Sequence, residues 1–139
     1  MAPVAGKPFL EYILKDLADQ GVRRAILAVG YKAECITEHF GPMFDGKMEL
    51  VYSREDKPLF TGGAIKQALA HCREESVAIV NGDTRFDVDL NAMEQAHRRT
   101  GALLTVATKE MHDFDRYGTV ETDETCRILA FREKQPRCV

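Results

Sequence analysis

The chain has 139 residues, a formal net charge of −3 at pH 7, 45% hydrophobic and 29% charged residues. That length suits one domain with a buried core, and the balance excludes intrinsic disorder, collagen and disulfide-dense mini-proteins. The acidic surplus lacks the basic footprint of a nucleic-acid binder, and no apolar run approaches the roughly 20 residues of a membrane-spanning helix.

The opening Met1–Pro8 has no long apolar stretch, so no signal peptide is read and a cytoplasmic protein is expected. Phe9, Leu10, Tyr12, Ile13, Leu14, Leu17 and Ala18 form an apolar stripe at helical spacing, predicting a helix from Pro8 to Gln20 that Gly21 ends. Ala25–Val29 is a short, continuous apolar run, the pattern of a strand buried on both faces. A second helix is expected over Lys32–Phe40, closed by Gly41-Pro42, then a strand over Met48–Tyr52. Thr61-Gly62-Gly63 leads into a helix over Ile65–Cys72, followed by a buried strand, Val77–Val80. A helix over Leu90–Arg99 and a strand over Leu103–Thr108 complete the alternation. It predicts an α/β, Rossmann-like three-layer domain with a mostly parallel sheet, filling residues 1–139. Tyr117–Glu121 and Arg127–Phe131 flank a turn at Thr122–Thr125 and read as a hairpin. A doubly wound fold normally opens on a strand with a phosphate loop behind it. Here the chain opens into a helix and ends abruptly at Arg132–Pro136, so a domain truncated at both ends is expected.

Candidate chemistry gathers at a few places. Asn81-Gly82-Asp83 follows Val77–Val80 directly, where open parallel sheets bind ligands. A carboxylate there suits Mg²⁺, which takes one or two carboxylates together with phosphates and water; an ordinary turn is the other reading. Thr61-Gly62-Gly63 puts two glycines at a helix start, where backbone N–H groups suit an anion or a base edge, or where Thr61 simply caps the helix. Tyr117-Gly118 offers an aromatic face to a sugar, or is an edge aromatic with a bulge glycine. Glu133-Lys134 offers a carboxylate for hydroxyls beside an ammonium for phosphate, though taken alone such a pair reads as solvated surface. Cys35, Cys72, Cys126 and Cys138 form no C-x-x-C pair, and His39, His71, His97 and His112 fall in no metal-binding or hydrolase motif.

In order, Pro3-Val4-Ala5-Gly6-Lys7-Pro8-Phe9-Leu10-Glu11-Tyr12, Ala28-Val29-Gly30-Tyr31, Thr61-Gly62-Gly63-Ala64, Asn81-Gly82-Asp83, Tyr117-Gly118-Thr119-Val120 and Phe131-Arg132-Glu133-Lys134 resemble the sugar-1-phosphate nucleotidyltransferases. The likeness is greatest to guanylyltransferases acting on mannose 1-phosphate or D-glycero-D-manno-heptose 1-phosphate. The resemblance implies a GT-A-like fold and transfer of a nucleoside monophosphate, GMP, from a triphosphate to a sugar 1-phosphate with release of pyrophosphate. It assigns Thr61, Gly62, Gly63, Asn81 and Gly82 to the nucleotide. Asp83 goes to catalytic Mg²⁺, Tyr117, Gly118 and Glu133 to the sugar, and Lys134, also catalytic, to the sugar phosphate. The family's first strand, its G-x-G-T-R triphosphate loop and a second metal-binding aspartate have no counterpart here. That leaves an inactive remnant, binding nucleotide-sugar or only self-associating, as the alternative. The family's first strand lies between the strands matching Ala25–Val29 and Val77–Val80. Those two are therefore expected to expose edges or to pair with each other, and the chain to form a homo-oligomer by strand exchange or to rearrange its sheet.

Overall fold

Helix α1, Phe9–Asp19, forms where the apolar stripe predicts it, with Pro8 at its N-cap and Ile13 and Leu14 buried. Its last turn closes through Gln20 N–H to Asp16 O (3.2 Å), Gly21 N–H to Ala18 O (3.0 Å) and Val22 N–H to Leu17 O (3.0 Å). Gly21 takes φ +92°, a conformation that costs glycine little. The expectation of a chain that opens directly into a helix needs correction. Two short antiparallel strands, β1 (Pro3–Val4) and β2 (Lys7–Pro8), precede α1. The Tyr12 hydroxyl donates to Val4 O at 3.1 Å and ties this hairpin to the helix. In this computed structural model residues 3–112 and 118–132 are described. They divide into two compact units, one ending at Glu94 and the other beginning at Gln95.

The first unit is built on strand β3, Arg24–Val29, which pairs in parallel with β5, Met48–Arg54. The register sets Arg24 against Glu49 and Val29 against Arg54. A short strand β4, Met43–Phe44, adds antiparallel to the far edge of β5, giving the order β3-β5-β4. Helix α2, Ala33–Phe40, connects β3 towards this edge and stops at Gly41 (φ +62°), whose carbonyl accepts from the Tyr52 hydroxyl at 2.5 Å. Side chains alternate across a strand. Met48, Leu50 and Tyr52 of β5, with Ala25 and Leu27 of β3, meet Leu14, Leu17, Ile36 and Phe40 from α1 and α2. On the opposite face Ser53, 1% exposed, accepts from the Gln67 amide of helix α3 (Phe60–Leu69) at 3.2 Å. The sheet is thus covered on both sides, which is the three-layer arrangement that βαβ alternation implies.

Two expected strands are not formed. Val77–Val80 and Leu103–Thr108 enter no ladder among the described residues. A strand exists only by hydrogen-bonding a neighbour. The edge of β3 opposite β5 has none among the described residues, so Val77–Val80 lies near β3 without pairing to it. Val77, Ile79 and Val80 stay 40%, 58% and 46% exposed. The observed sheet is accordingly one parallel pair with an antiparallel edge, less parallel than the alternation predicts.

In the second unit β6 (Thr119–Thr122) and β7 (Ile128–Arg132) form the expected hairpin, with Thr119 opposite Arg132. Arg132 and Glu121 pair across it. Helix α4, Leu90–Thr100, spans the boundary between units, and the Asp89 carboxylate caps it by accepting from Ala92 N–H at 2.9 Å.

The hairpin turn is organised by Asp123. Its carboxylate accepts from the Thr125 hydroxyl at 2.7 Å and from the Thr125 and Arg127 N–H groups at 2.9 Å each. Those bonds, the Thr125 hydroxyl first, hold the carboxyl below its ordinary range. A carboxylate lowered on folding stabilises the turn above its unfolded pKa and releases it as pH falls through the lower folded value. The Thr125 and Arg127 amide chemical shifts should therefore stay native-like near neutrality and move towards random-coil values below about pH 4. Asp123→Asn should abolish that titration; shifts unchanged down to pH 2 would contradict the account.

Candidate active site

Between β3 and Val77–Val80 lies a groove of about 960 Å³. Its walls are apolar: Leu10, Ile13 and Leu17 of α1, Ala25–Val29 of β3, Ala64, Ile65 and Ala68 of α3, and Val77–Val80. At the end reached by Val80 the lining turns polar, with Thr61, Asn81, Gly82 and Asp83. This is the position beyond the carboxyl ends of strands where open α/β sheets bind ligands.

Four sequence-predicted residues therefore converge on one groove: Thr61, Asn81, Gly82 and Asp83. Asp83 sits in a turn with Gly82 and is exposed; its Oδ1 accepts from the Thr84 hydroxyl at 3.3 Å. A Cβ placed on Gly82 would meet Leu10 Cδ1 at 3.6 Å, an ordinary contact, so that turn rests directly on α1.

The Thr61-Gly62-Gly63 stretch needs correcting in its local structure. It does not precede the helix but forms part of its first turn, and α3 ends at Leu69 rather than Cys72. Leu59 is the N-cap, and no side chain caps the helix, so Thr61 is not a capping residue. The turn is fixed instead by Leu59 N–H donating to Glu55 Oε2 at 2.9 Å. Glu55 is itself anchored by its N–H to Val29 O at 2.8 Å, at the carboxyl end of β3. The two glycines differ. Gly62 has no atom within 4 Å of where a Cβ would stand, so its backbone is open to approach. A Cβ on Gly63 would lie 2.8 Å from Leu59 Cβ, so Gly63 serves the packing of the helix start.

Gly118 lies in the second unit, immediately before β6. Tyr117, Glu133 and Lys134 lie outside the described residues. Several side chains outside the groove lining were not read from the sequence as site residues. Tyr31 is 89% exposed, with Lys32 Nζ 5.3 Å from its ring centroid. Arg54 donates to Glu34, whose carboxyl lies below its ordinary range through its own backbone N–H and then Arg54. Phe60 has φ +56° and is 87% exposed. Nothing in residue type announces a left-handed backbone at a phenylalanine.

A sheet covered on both faces, with a polar cluster at the strand ends of one groove, defines an α/β domain of the open-sheet kind. The nucleotidyl transferase family model matches residues 1–137, and the chain belongs to that family. It is 49% identical over 134 residues to the D-glycero-alpha-D-manno-heptose 1-phosphate guanylyltransferase of Aneurinibacillus thermoaerophilus, covering 96% of this chain and 57% of that protein. To the mannose-1-phosphate guanylyltransferase of Mycobacterium tuberculosis it is 34% identical, covering 96% and 37%. Among solved structures, HddC from Yersinia pseudotuberculosis complexed with GMP-PN superposes with a TM-score of 0.74 at 28% identity, covering 98% of this chain and 60% of that one. The chain thus spans under three-fifths of the heptose guanylyltransferase it matches. The fold expected from the alternation of elements is the fold of these neighbours.

The two glycines should respond oppositely to alanine. Gly62→Ala, in a helix with free space around it, should raise stability by about 0.5–1 kcal/mol. Gly63→Ala, forced against Leu59, should lower it by about 1–3 kcal/mol. Urea denaturation of both variants checks the pair; equal effects would refute the packing role of Gly63.

Proposed function

We propose that this chain carries the base, metal and sugar sites of a sugar-1-phosphate guanylyltransferase acting in the cytoplasm. The observation that carries this reading is the convergence of Thr61 with Asn81, Gly82 and Asp83 at the polar end of one groove. The names of the relatives, heptose and mannose 1-phosphate guanylyltransferases, supply the substrate pair: GTP and a heptose or hexose 1-phosphate.

In this reading a phosphate oxygen of the sugar 1-phosphate attacks the α-phosphorus of GTP. The bond from that phosphorus to the bridging oxygen breaks, and pyrophosphate leaves as the nucleotide-sugar forms. Such a displacement needs positioning and charge compensation more than a protein nucleophile. Thr61, Gly62, Gly63, Asn81 and Gly82 position the nucleotide. Tyr117, Gly118 and Glu133 hold the sugar, and Lys134 holds its phosphate.

No cluster of three or more His, Cys, Asp or Glu side chains occurs among the described residues. Asp83 therefore brings a single exposed carboxylate, which suits Mg²⁺, an ion that fills its shell with substrate phosphates and water. When bound, Mg²⁺ supplies positive charge against the phosphates.

Calorimetric titration of the purified chain with GTP and with GDP-mannose, each with and without Mg²⁺, tests the reading. Weak binding strengthened by Mg²⁺ is expected, and Asp83→Ala should remove the Mg²⁺ dependence while leaving the circular dichroism unchanged. No binding of either ligand at millimolar concentration would leave the inactive-remnant reading instead.

The free edge of β3 is apolar from Ala25 to Val29 and has neither proline nor lysine to blunt it. We propose that it draws copies of the chain into a homo-oligomer. Light scattering at micromolar concentration should give at least twice the 15.6 kDa of one chain; a clean monomer would overturn this.

A further inference from the structure

We infer that Phe60 stacks on the base of the bound nucleotide and helps to select it, an inference that rests on the nucleotide-binding reading above. Phe60 opens α3 with φ +56°, and 87% of the residue is exposed. The left-handed region disfavours any residue with a Cβ, and a bulky one most. Glycine would make the same turn at lower cost. The ring gives the fold nothing in return, since an exposed phenyl removes almost no apolar surface from water. It also has no aromatic or cationic partner among the described residues, whereas exposed Tyr31 has Lys32 near its ring. Neither packing nor backbone geometry accounts for a phenylalanine here.

Its location supplies the account. The next residue, Thr61, lines the groove with Asn81, Gly82 and Asp83, and beside Gly62 the space is empty. The backbone carrying the ring is held on both sides. Leu59 N–H is bonded to Glu55, and Gly63 packs against Leu59. A ring presented to solvent from a fixed backbone, next to an open approach, fits a flat apolar ligand face. Of the parts of a nucleoside triphosphate, only the base offers one, and aromatic stacking is a substantial source of affinity for bases. Stacking strengthens with the area of the base, so the ring favours purines over pyrimidines.

The chain contains no tryptophan, so Phe60→Trp installs a single reporter at this position. Titration with GTP in the presence of Mg²⁺ should quench its emission with the same midpoint that calorimetry gives, and UTP should quench less. Phe60→Gly should raise Tm by several degrees, through relief of the left-handed backbone, yet weaken GTP binding by about tenfold. Inorganic triphosphate, which has no base, should bind both forms equally. Phe60→Leu should lose a similar share of GTP affinity without the gain in Tm. If the unaltered chain binds GTP and Phe60→Gly binds it equally well, the stacking role is overturned while the guanylyltransferase reading stands. If Phe60→Gly lowers Tm, the ring is structural and the inference fails. If the unaltered chain binds GDP-mannose and Phe60→Gly binds it equally well, the stacking role alone is overturned; if it binds neither GTP nor GDP-mannose at millimolar concentration, the guanylyltransferase reading falls and the stacking role with it.

Discussion

The first unit depends on one unmet demand: among the described residues, β3 has a partner on one edge only. Its pairing with β5 fixes the register of the sheet and brings the apolar face of β5 onto α1 and α2. On its other side the backbone faces a groove walled by apolar side chains from α1, α3 and Val77–Val80. Side chains facing an unfilled space forgo the dispersion contacts that a packed neighbour would provide. Much follows from this, including the exposure of Val77, Ile79 and Val80 and the lack of a ladder there among the described residues.

This also explains why the core lies where it does. Leu14, Met48, Leu50 and Phe40 are buried because α1, α2 and β5 close on one another without help from the groove side. No residue of α3 is fully buried, although the helix touches the sheet through Gln67 and Ser53. Its apolar residues Ala64, Ile65 and Ala68 look into the groove instead.

The elements most legible in the sequence were those whose stability is local or satisfied by described neighbours. The stripe of α1, the Gly41 stop of α2 and the β6–β7 turn form as patterned, because each pattern is matched by its packing or caps. The apolar run of β3 forms a strand, but of its residues only Val29 is buried, short of the two-faced burial its pattern predicts. Val77–Val80 and Leu103–Thr108 carry equally good strand patterns and form none. A strand pattern states what a segment needs, and whether a neighbour meets the need is a tertiary fact. The site divides the same way. The place of Asn81-Gly82-Asp83 at the groove was readable because the turn follows an apolar run. The glycine pair was readable as a feature but not as two different roles, since only the contact with Leu59 separates Gly63 from Gly62. Phe60 was invisible because a positive φ leaves no mark in residue type.

The charge along the groove sets what can bind in it. Among the described residues its lining includes two cations, Arg23 and Arg24, and both sit at the amino end of β3. Arg24 is already engaged by Glu49 at 3.0 Å and by His71 O at 2.8 Å. The polar end, where Thr61 and Asn81 gather, has Asp83 as its charge. A triphosphate brought there meets a carboxylate of its own sign and gains nothing from the distant arginines, because charge interactions across water are screened within about 10 Å. A divalent cation reverses that balance by joining the carboxylate to the phosphates. Stacking on a ring such as Phe60 would be indifferent to that charge. Under the proposed reading, base recognition would thus be separable from phosphate recognition, the first resting on the chain's own surface and the second on positive charge that the groove end itself lacks.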